Sequence, residues 1–262
     1  MTHKASMTHK AAVLLSVLCA ALIASSPAPA GESHVVAVEA DYYPFSFRNE
    51  KGELTGFDVD MARSFCRRLA VDCRIVEHRL SDILDGLARH EFGFAVAGLR
   101  KTPERERFAA FSDVYYRSRS FFISRTPGVG SYTFDKADGL RIGVQRNTVQ
   151  YEYLIQNYLP RGARIRAYDS WSDVKEAIRS GEVSVILSDG LPGYAFLKSP
   201  QGRGLFIAGN AEDDPLATNE ARIAAPETDG RLIRRINEAL RAMKTEGEIQ
   251  LLSLRYFSHI NF

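Results

Sequence analysis

HVVAV (residues 34–38) and, beyond a polar turn, DVDMARSFCRRL (58–69) set the reading of the whole chain. The first is a short continuous apolar run, the pattern of a strand buried on both faces. Phe57, Met61, Phe65 and Leu69 recur every four residues, which predicts a helix that buries this stripe. The alternation continues outward. Residues 73–76 predict a strand, 81–89 a helix capped by Ser81, and 92–97 another buried strand, together one α/β lobe. After a strand-like segment at 119–124 the rhythm restarts, with LRIGVQ (140–145) as a strand and 148–159 as a helix. Residues 172–180 follow as a helix ended by Gly181, and VSVILS (183–188) as a strand. Leu232, Ile236, Leu240 and Met243 mark a long closing helix that stops near Gly247, with a shorter apolar segment after it. The 262 residues suffice for two cores of about 100 residues each.

Composition narrows the function. Lys+Arg at 34 against Asp+Glu at 32 leave a net charge of +2, too little field to gather nucleic acid or an anionic membrane. The expected partner is a small molecule. Lys4 and Lys10 precede an apolar stretch at 11–24, and Ala28-Pro29-Ala30 places small residues where a signal peptidase cuts. Residues 1–30 are therefore expected to be a cleaved signal peptide, releasing a free periplasmic protein. Cys19 falls inside that segment behind Leu18, without the small residue that lipoprotein processing requires. Cys66 and Cys73 then remain in an oxidising compartment, either as a disulfide closing a short loop or as two buried thiols.

In open α/β sheets ligands bind beyond the carboxyl ends of the strands, so the strand-to-helix loops are where chemistry is sought. Glu39-Ala40-Asp41-Tyr42-Tyr43-Pro44-Phe45 carries two acids and two tyrosines, which either face a ligand or pack on their own lobe. In Gly98-Leu99-Arg100-Lys101-Thr102-Pro103-Glu104-Arg105, Thr102 can cap and Pro103 can open a helix, which puts Arg105 in its first turn. A guanidinium beside the free amides of a helix start suits a carboxylate. The other reading is a surface arginine paired with Asp113 or Glu104. Arg146-Asn147-Thr148-Val149-Gln150 is a second helix entrance with a hydroxyl, and Ser188-Asp189-Gly190 places an acid at a strand end, able to hold an ammonium group or to cap the next helix. Neither a Ser/His/Asp order, a metal-ligand cluster nor a phosphate loop stands out, so no cofactor and no metal are expected.

Taken together, Tyr42-Tyr43-Pro44-Phe45, Gly52-Glu53-Leu54-Thr55-Gly56-Phe57-Asp58-Val59-Asp60, Thr102-Pro103-Glu104-Arg105 and Phe111-Ser112-Asp113-Val114-Tyr115-Tyr116 resemble the periplasmic polar-amino-acid-binding proteins of ABC importers, solute-binding proteins of family 3. Phe65-Cys66-Arg67-Arg68-Leu69-Ala70-Val71-Asp72-Cys73 is similar to the disulfide-bearing segment of the histidine and lysine/arginine/ornithine binders. The resemblance implies a type II, Venus-flytrap fold of two α/β lobes, each a mainly parallel sheet flanked by helices, joined by two hinge strands. Lobe 1 would comprise 33–116 plus 219–262, and lobe 2 117–218. It implies that Tyr42 packs on the ligand side chain, that Arg105 binds the α-carboxylate with help from Thr148, that Asp189 receives the α-ammonium, and that Gly98 offers its carbonyl. Glu39 would help choose the side chain, and Gln150 would face the cleft. The expected partners are an amino acid or related small carboxylate and the membrane subunits of an ABC transporter, with the protein acting as a monomer.

The chain departs from that pattern at several places. Arg100 stands where a small hydroxyl residue is usual, and its charge suggests contact with an anionic group or a second carboxylate; the alternative is that it swings to solvent or pairs with Glu39. Val149 replaces a second hydroxyl, Asn147 a glycine, and Gly93 and Ser184 replace acids. Two other functions fit the same fold: a cyclohexadienyl-dehydratase-like enzyme, for which Glu39 and Asp189 are the acids to suspect, and a ligand-binding partner of a membrane receptor.

Overall fold

A computed structural model describes residues 32–127, 134–211 and 214–258; the segment read as a signal peptide lies outside the described residues. The chain opens with β1 (Ser33–Glu39), a small hairpin of β2 (Phe47–Arg48) and β3 (Leu54–Thr55), and helix α1 (Phe57–Leu69). It continues through β4 (Asp72–His78), α2 (Leu80–Ala88), β5 (Phe94–Arg100) and the long β6 (Ala109–Arg119). Next come β7 (Phe121–Ser124), β8 (Arg141–Gln145), α3 (Val149–Asn157), β9 (Arg164–Tyr168), α4 (Trp171–Ser180), β10 (Val185–Ser188), α5 (Gly190–Lys198) and β11 (Phe206–Asn210). It ends with β12 (Thr218–Pro226), α6 (Gly230–Thr245) and α7 (Glu248–Phe257).

Successive strand side chains point to opposite faces, so an unbroken apolar run serves two cores at once. In β1, Val36 enters the core under α1 and α6 with Phe65, Ile236 and Met243, while Ala37 meets Leu80, Ile83 and Leu87 of α2 on the other face. The second sheet repeats the scheme. Leu187 of β10 packs with Tyr153 and Leu154 of α3, and its neighbour Ile186 with Trp171, Val174 and Ile178 of α4.

The sheets have the orders β4-β1-β5-β12-β6 and β11-β7-β10-β8-β9. In each, a parallel half continues into an antiparallel half: β1 is parallel to β4 and β5, whereas β12 runs against β5 and β6. The antiparallel strands are those of the crossing. β6 leads through Ser120 directly into β7 of the second sheet, and a 3₁₀ turn, Pro215–Ala217, leads back into β12. The Ser120 amide donates to the Ala217 carbonyl at 2.8 Å, so the outgoing and returning segments are bonded where they cross.

Local chemistry explains the start and end of α1. Gly56 has φ 131°, and a Cβ there would lie 2.2 Å from the Phe45 carbonyl oxygen, so only glycine fits the entry. Asp58 and Asp60 sit in the first turn and Arg67 and Arg68 in the last, each matching the helix dipole. Arg68 then reaches Glu248 at 2.6 Å and Glu246 at 2.5 Å, clipping α1 to the last two helices.

Two expected helix starts differ. Helix α2 begins at Leu80 with Arg79 at the cap position, because buried Leu80 is part of the packed face; Ser81 lies inside the helix and donates to Asp82 at 3.3 Å. Thr102 and Pro103 open only a 3₁₀ turn, Arg105–Arg107, although Thr102 Oγ1 does accept the Arg105 N–H at 3.3 Å. The chain must extend again at Ala109 to pair with Pro226 of β12, which leaves no room for an α-helix.

Cys66, at the end of α1, and Cys73, in β4, form a disulfide. Replacing both by serine should lower the unfolding free energy by about 2–3 kcal/mol on the loop-entropy model. Urea unfolding of the double variant checks this, and a midpoint equal to that of the parent would show that the bridge contributes nothing.

Candidate functional site

The carboxyl ends of β1, β5, β8 and β10 all meet at one cavity between the two sheets, as expected for ligand sites in open α/β sheets. From the first sheet come Glu39, Tyr42, Gly98, Arg100 and Arg105; from the second come Gln145, Asn147, Thr148, Gln150 and Asp189. Asn219 reaches in from the crossing strand β12. Every residue expected from the sequence to contact a ligand therefore lines this one cavity. Its volume is only about 30 Å³, the scale of two waters, because the lobes touch directly across it.

The touching groups are specific. Arg105 is 6 % exposed, and its guanidinium donates from Nη1 to the Arg100 carbonyl at 2.8 Å and from Nη2 across the cleft to the Asn147 carbonyl at 2.6 Å. Neither Asp113 nor Glu104 pairs with it. Among the described residues no carboxylate comes within ion-pair distance of Arg105, and burial pulls its proton affinity down, with Glu152 and Glu104 opposing. A buried positive charge facing a cavity without a counter-ion is costly, and that cost falls when an anion occupies the cavity.

The acids show the converse. Glu39 is buried and accepts from Gln145 Nε2 across the cleft at 2.5 Å; burial raises its pKa to about 8 against that bond, and nearby Asp58 adds to the rise. Asp58 is buried behind the cavity at the start of α1, where it accepts from the Tyr115 hydroxyl at 2.8 Å. Burial pushes Asp58 to about 7, its bond to Tyr115 opposing and Asp189 adding to the rise. Asp189 is 5 % exposed, stands at the N-cap position of α5, and accepts from Asn219 Nδ2 at 2.7 Å and from the Tyr116 hydroxyl at 3.3 Å. Burial raises its pKa as well, with Ser118 and Asn219 leading the opposing effects.

Other expected contacts carry structural duties besides. Thr148 caps α3, accepting the Tyr151 N–H at 3.2 Å while its own proton goes to the Gln145 carbonyl at 2.7 Å. Gln150 is buried and donates to Ser120 Oγ at 3.0 Å, tying the cleft wall to the crossing. Tyr42 packs on Phe45 with ring centroids 5.6 Å apart. Arg100 lines the cavity but sends Nη1 to the carbonyls of Pro215 and Thr218, the latter at 3.0 Å, and does not pair with Glu39. Gln145 and Asn219 were not among the residues sequence reasoning singled out. Gln145 ends a recognisable strand, so its position was a usable signal; nothing local distinguishes Asn219, which enters through the topology alone.

The profile of the family described as bacterial extracellular solute-binding proteins, family 3, matches residues 34–259. The histidine-binding periplasmic protein of Escherichia coli is 25% identical over 224 residues, covering 85% of this chain and 86% of that protein. The L-arginine-binding protein of Pseudomonas aeruginosa is 26% identical over 253 residues, covering 95% of this chain and 97% of that protein. An ancestral arginine-binding protein solved with arginine superposes with a TM-score of 0.79 at 24% identity, covering 87% of this chain and 99% of the other, and shares the two-lobed fold.

The raised carboxyl groups set the sign of a pH effect. Between the ordinary glutamic acid value of 4.5 and about 8, folded Glu39 holds a proton that the unfolded chain has released, so stability falls as pH rises through that window. Asp58, raised from 3.8 to about 7, acts in the same direction. The melting temperature without ligand should therefore decline from pH 5 to pH 8, and Glu39→Gln should flatten the decline; a scan that rises over this interval contradicts the assignment.

Proposed function

The chain belongs to the bacterial extracellular solute-binding proteins of family 3, and from that premise we propose that it captures a cationic L-amino acid in the periplasm and delivers it to the membrane subunits of an ABC importer. The observation that carries this reading is the placement of buried ionisable groups without an ionic partner around one cavity: Arg105 from one lobe, Asp189 from the other, and Glu39, which keeps its proton up to about pH 8, beside them. A zwitterion supplies both missing partners, its carboxylate to Arg105 and its ammonium to Asp189. Such charge-assisted contacts contribute on the order of 1.5–3 kcal/mol each.

The remaining inventory favours a positive side chain. Arg100 directs its guanidinium Nη1 to main-chain carbonyls, so Arg105 is left as the cation serving the ligand, against Glu39 and Asp189 on the cavity wall and Asp58 behind it. A second ligand cation near Glu39 draws its proton off and restores the carboxylate, whereas a second ligand carboxylate meets only acids. The arginine and histidine bound by the two curated relatives, according to their names, agree with this charge count. Tyr42 would lie along the side chain, with Thr148, Gln150 and the Gly98 carbonyl completing the enclosure.

Entry requires the lobes to part, since the closed cavity, at about 30 Å³, has room for no more than about two waters. The hinge is the crossing at Ser120 and Ala217, about which 33–116 with 219–262 would move against 117–218. Ligand contacts from both lobes shift the equilibrium toward the closed form, the form a transporter can recognise. We read the cleft as binding without turnover: Glu39 and Asp189, the acids an elimination would need, are held by Gln145 and by Asn219 with Tyr116.

Calorimetry with lysine, arginine, ornithine, histidine, glutamine and glutamate tests the reading. The cationic amino acids should bind most tightly, Arg105→Ala should weaken them by about a hundredfold or more while leaving the ligand-free melting temperature nearly unchanged, and prephenate should not be consumed. Preference for glutamate would overturn the charge argument.

A further inference from the structure

Asn219 is 7 % exposed and lines the cavity from the crossing strand. Its side-chain nitrogen donates to Asp189 Oδ2 at 2.7 Å and to the Gly98 carbonyl at 3.2 Å, and lies 3.3 Å from the Tyr116 hydroxyl. The Gly98 oxygen can only accept, and Asp189 presents an acceptor, so the amide orientation is determined and Oδ1 must face the other way. Among the described residues, Asn219 Oδ1 has no hydrogen-bond partner, and neither has Asp189 Oδ1; both atoms are buried. Ser118 and the Leu191 amide help hold the Asp189 carboxyl toward its charged form, yet neither meets Oδ1 in hydrogen-bonding geometry.

Two residues that line one cavity and touch each other thus each leave a buried acceptor open, at a desolvation cost of about 1–3 kcal/mol apiece. We propose that Asn219 contacts the ligand itself, its side-chain oxygen joining Asp189 as a paired acceptor for the α-ammonium group. This rests on the amino-acid reading given above. An ammonium has three N–H donors and no acceptor, so it can satisfy both oxygens at once. The backbone that presents Asn219 is pinned from the side: Arg100 donates to the carbonyls of Pro215 and Thr218, the turn immediately before Asn219, and Asn219 is in register with Ser118 across β6.

The test separates contact with the ammonium from a general structural role. L-arginine and 5-guanidinopentanoate, which keeps the carboxylate and the guanidinium but lacks the α-ammonium, are titrated calorimetrically into the parent, Asn219→Leu and Asn219→Ala. Both variants should weaken arginine about tenfold or more, and both should bind the desamino analogue within about twofold of the parent, which also certifies their folding. Equal weakening of the two ligands in both variants, or no weakening of arginine, overturns the assignment. A parent that binds the desamino analogue but neither arginine nor any other α-amino acid sinks the amino-acid reading itself, an outcome visible before any variant is made.

Discussion

The pairing of β12 with β6, continued by the bond from the Ser120 amide to the Ala217 carbonyl, is the constraint on which the molecule depends. Each sheet is flanked by helices over its own core, and α5 serves both, with Leu191 and Ala195 in the first core and Phe196 in the second. The crossing is what turns the carboxyl ends of both sets of strands toward a common cavity. It also explains why each sheet is half antiparallel: the strands that pass between sheets must run out and back side by side. Gln150, bonded to Ser120, and Asn219, the second residue of β12, tie the cavity wall to that crossing, so a change of angle at the hinge is felt at the site.

Around the cavity, ionisable groups are buried without an ionic partner inside the protein. Arg105, Glu39 and Asp189 are all desolvated, and the polarised contacts they do make are to carbonyls, two amide side chains and a hydroxyl. A neutral hydrogen bond recovers only part of what a counter-ion would. On the proposed reading, that cost in the empty closed form would be relieved when a ligand of complementary charge arrives, so binding would favour closure. Asp58, one layer back, strengthens the negative side without touching the cavity, through the Tyr115 hydroxyl that also receives the Gly98 amide at 3.0 Å.

Much of the site was readable because strand ends are visible in sequence. Glu39, Gly98, Thr148 and Asp189 each stand where an apolar run gives way to a polar loop, and Arg105 follows a threonine and proline that signal a turn. Arg100 was readable as a cavity residue but its partners were not, and Asn219 was not readable at all. Nothing in the residues around Arg100 tells that its guanidinium bonds the carbonyls of Pro215 and Thr218, more than a hundred positions away, and nothing around Asn219 tells that it reaches Asp189. The start of α2 and the length of the turn at Arg105 also depended on distant partners, the core that receives Leu80 and the strand that pairs with Ala109.

By itself the sequence determined β1, α1, β4, α2, β5, β7, β8, α3, α4, β10 and α6 in their order, since apolar periodicity, capping residues and glycines act over a few neighbouring positions, whereas β6, β9, α5, β11 and β12 emerged only in the structure. For Cys66 and Cys73 it left a disulfide or two thiols open, their short separation making an encounter nearly local, and the structure closed the bond. Only the tertiary structure decided which polar side chains confront one another, because that follows from the angle between two lobes and the register of strands far apart in the chain. The charge of the cleft belongs to this second class: it depends on where Arg100 points, and packing at the crossing settles that.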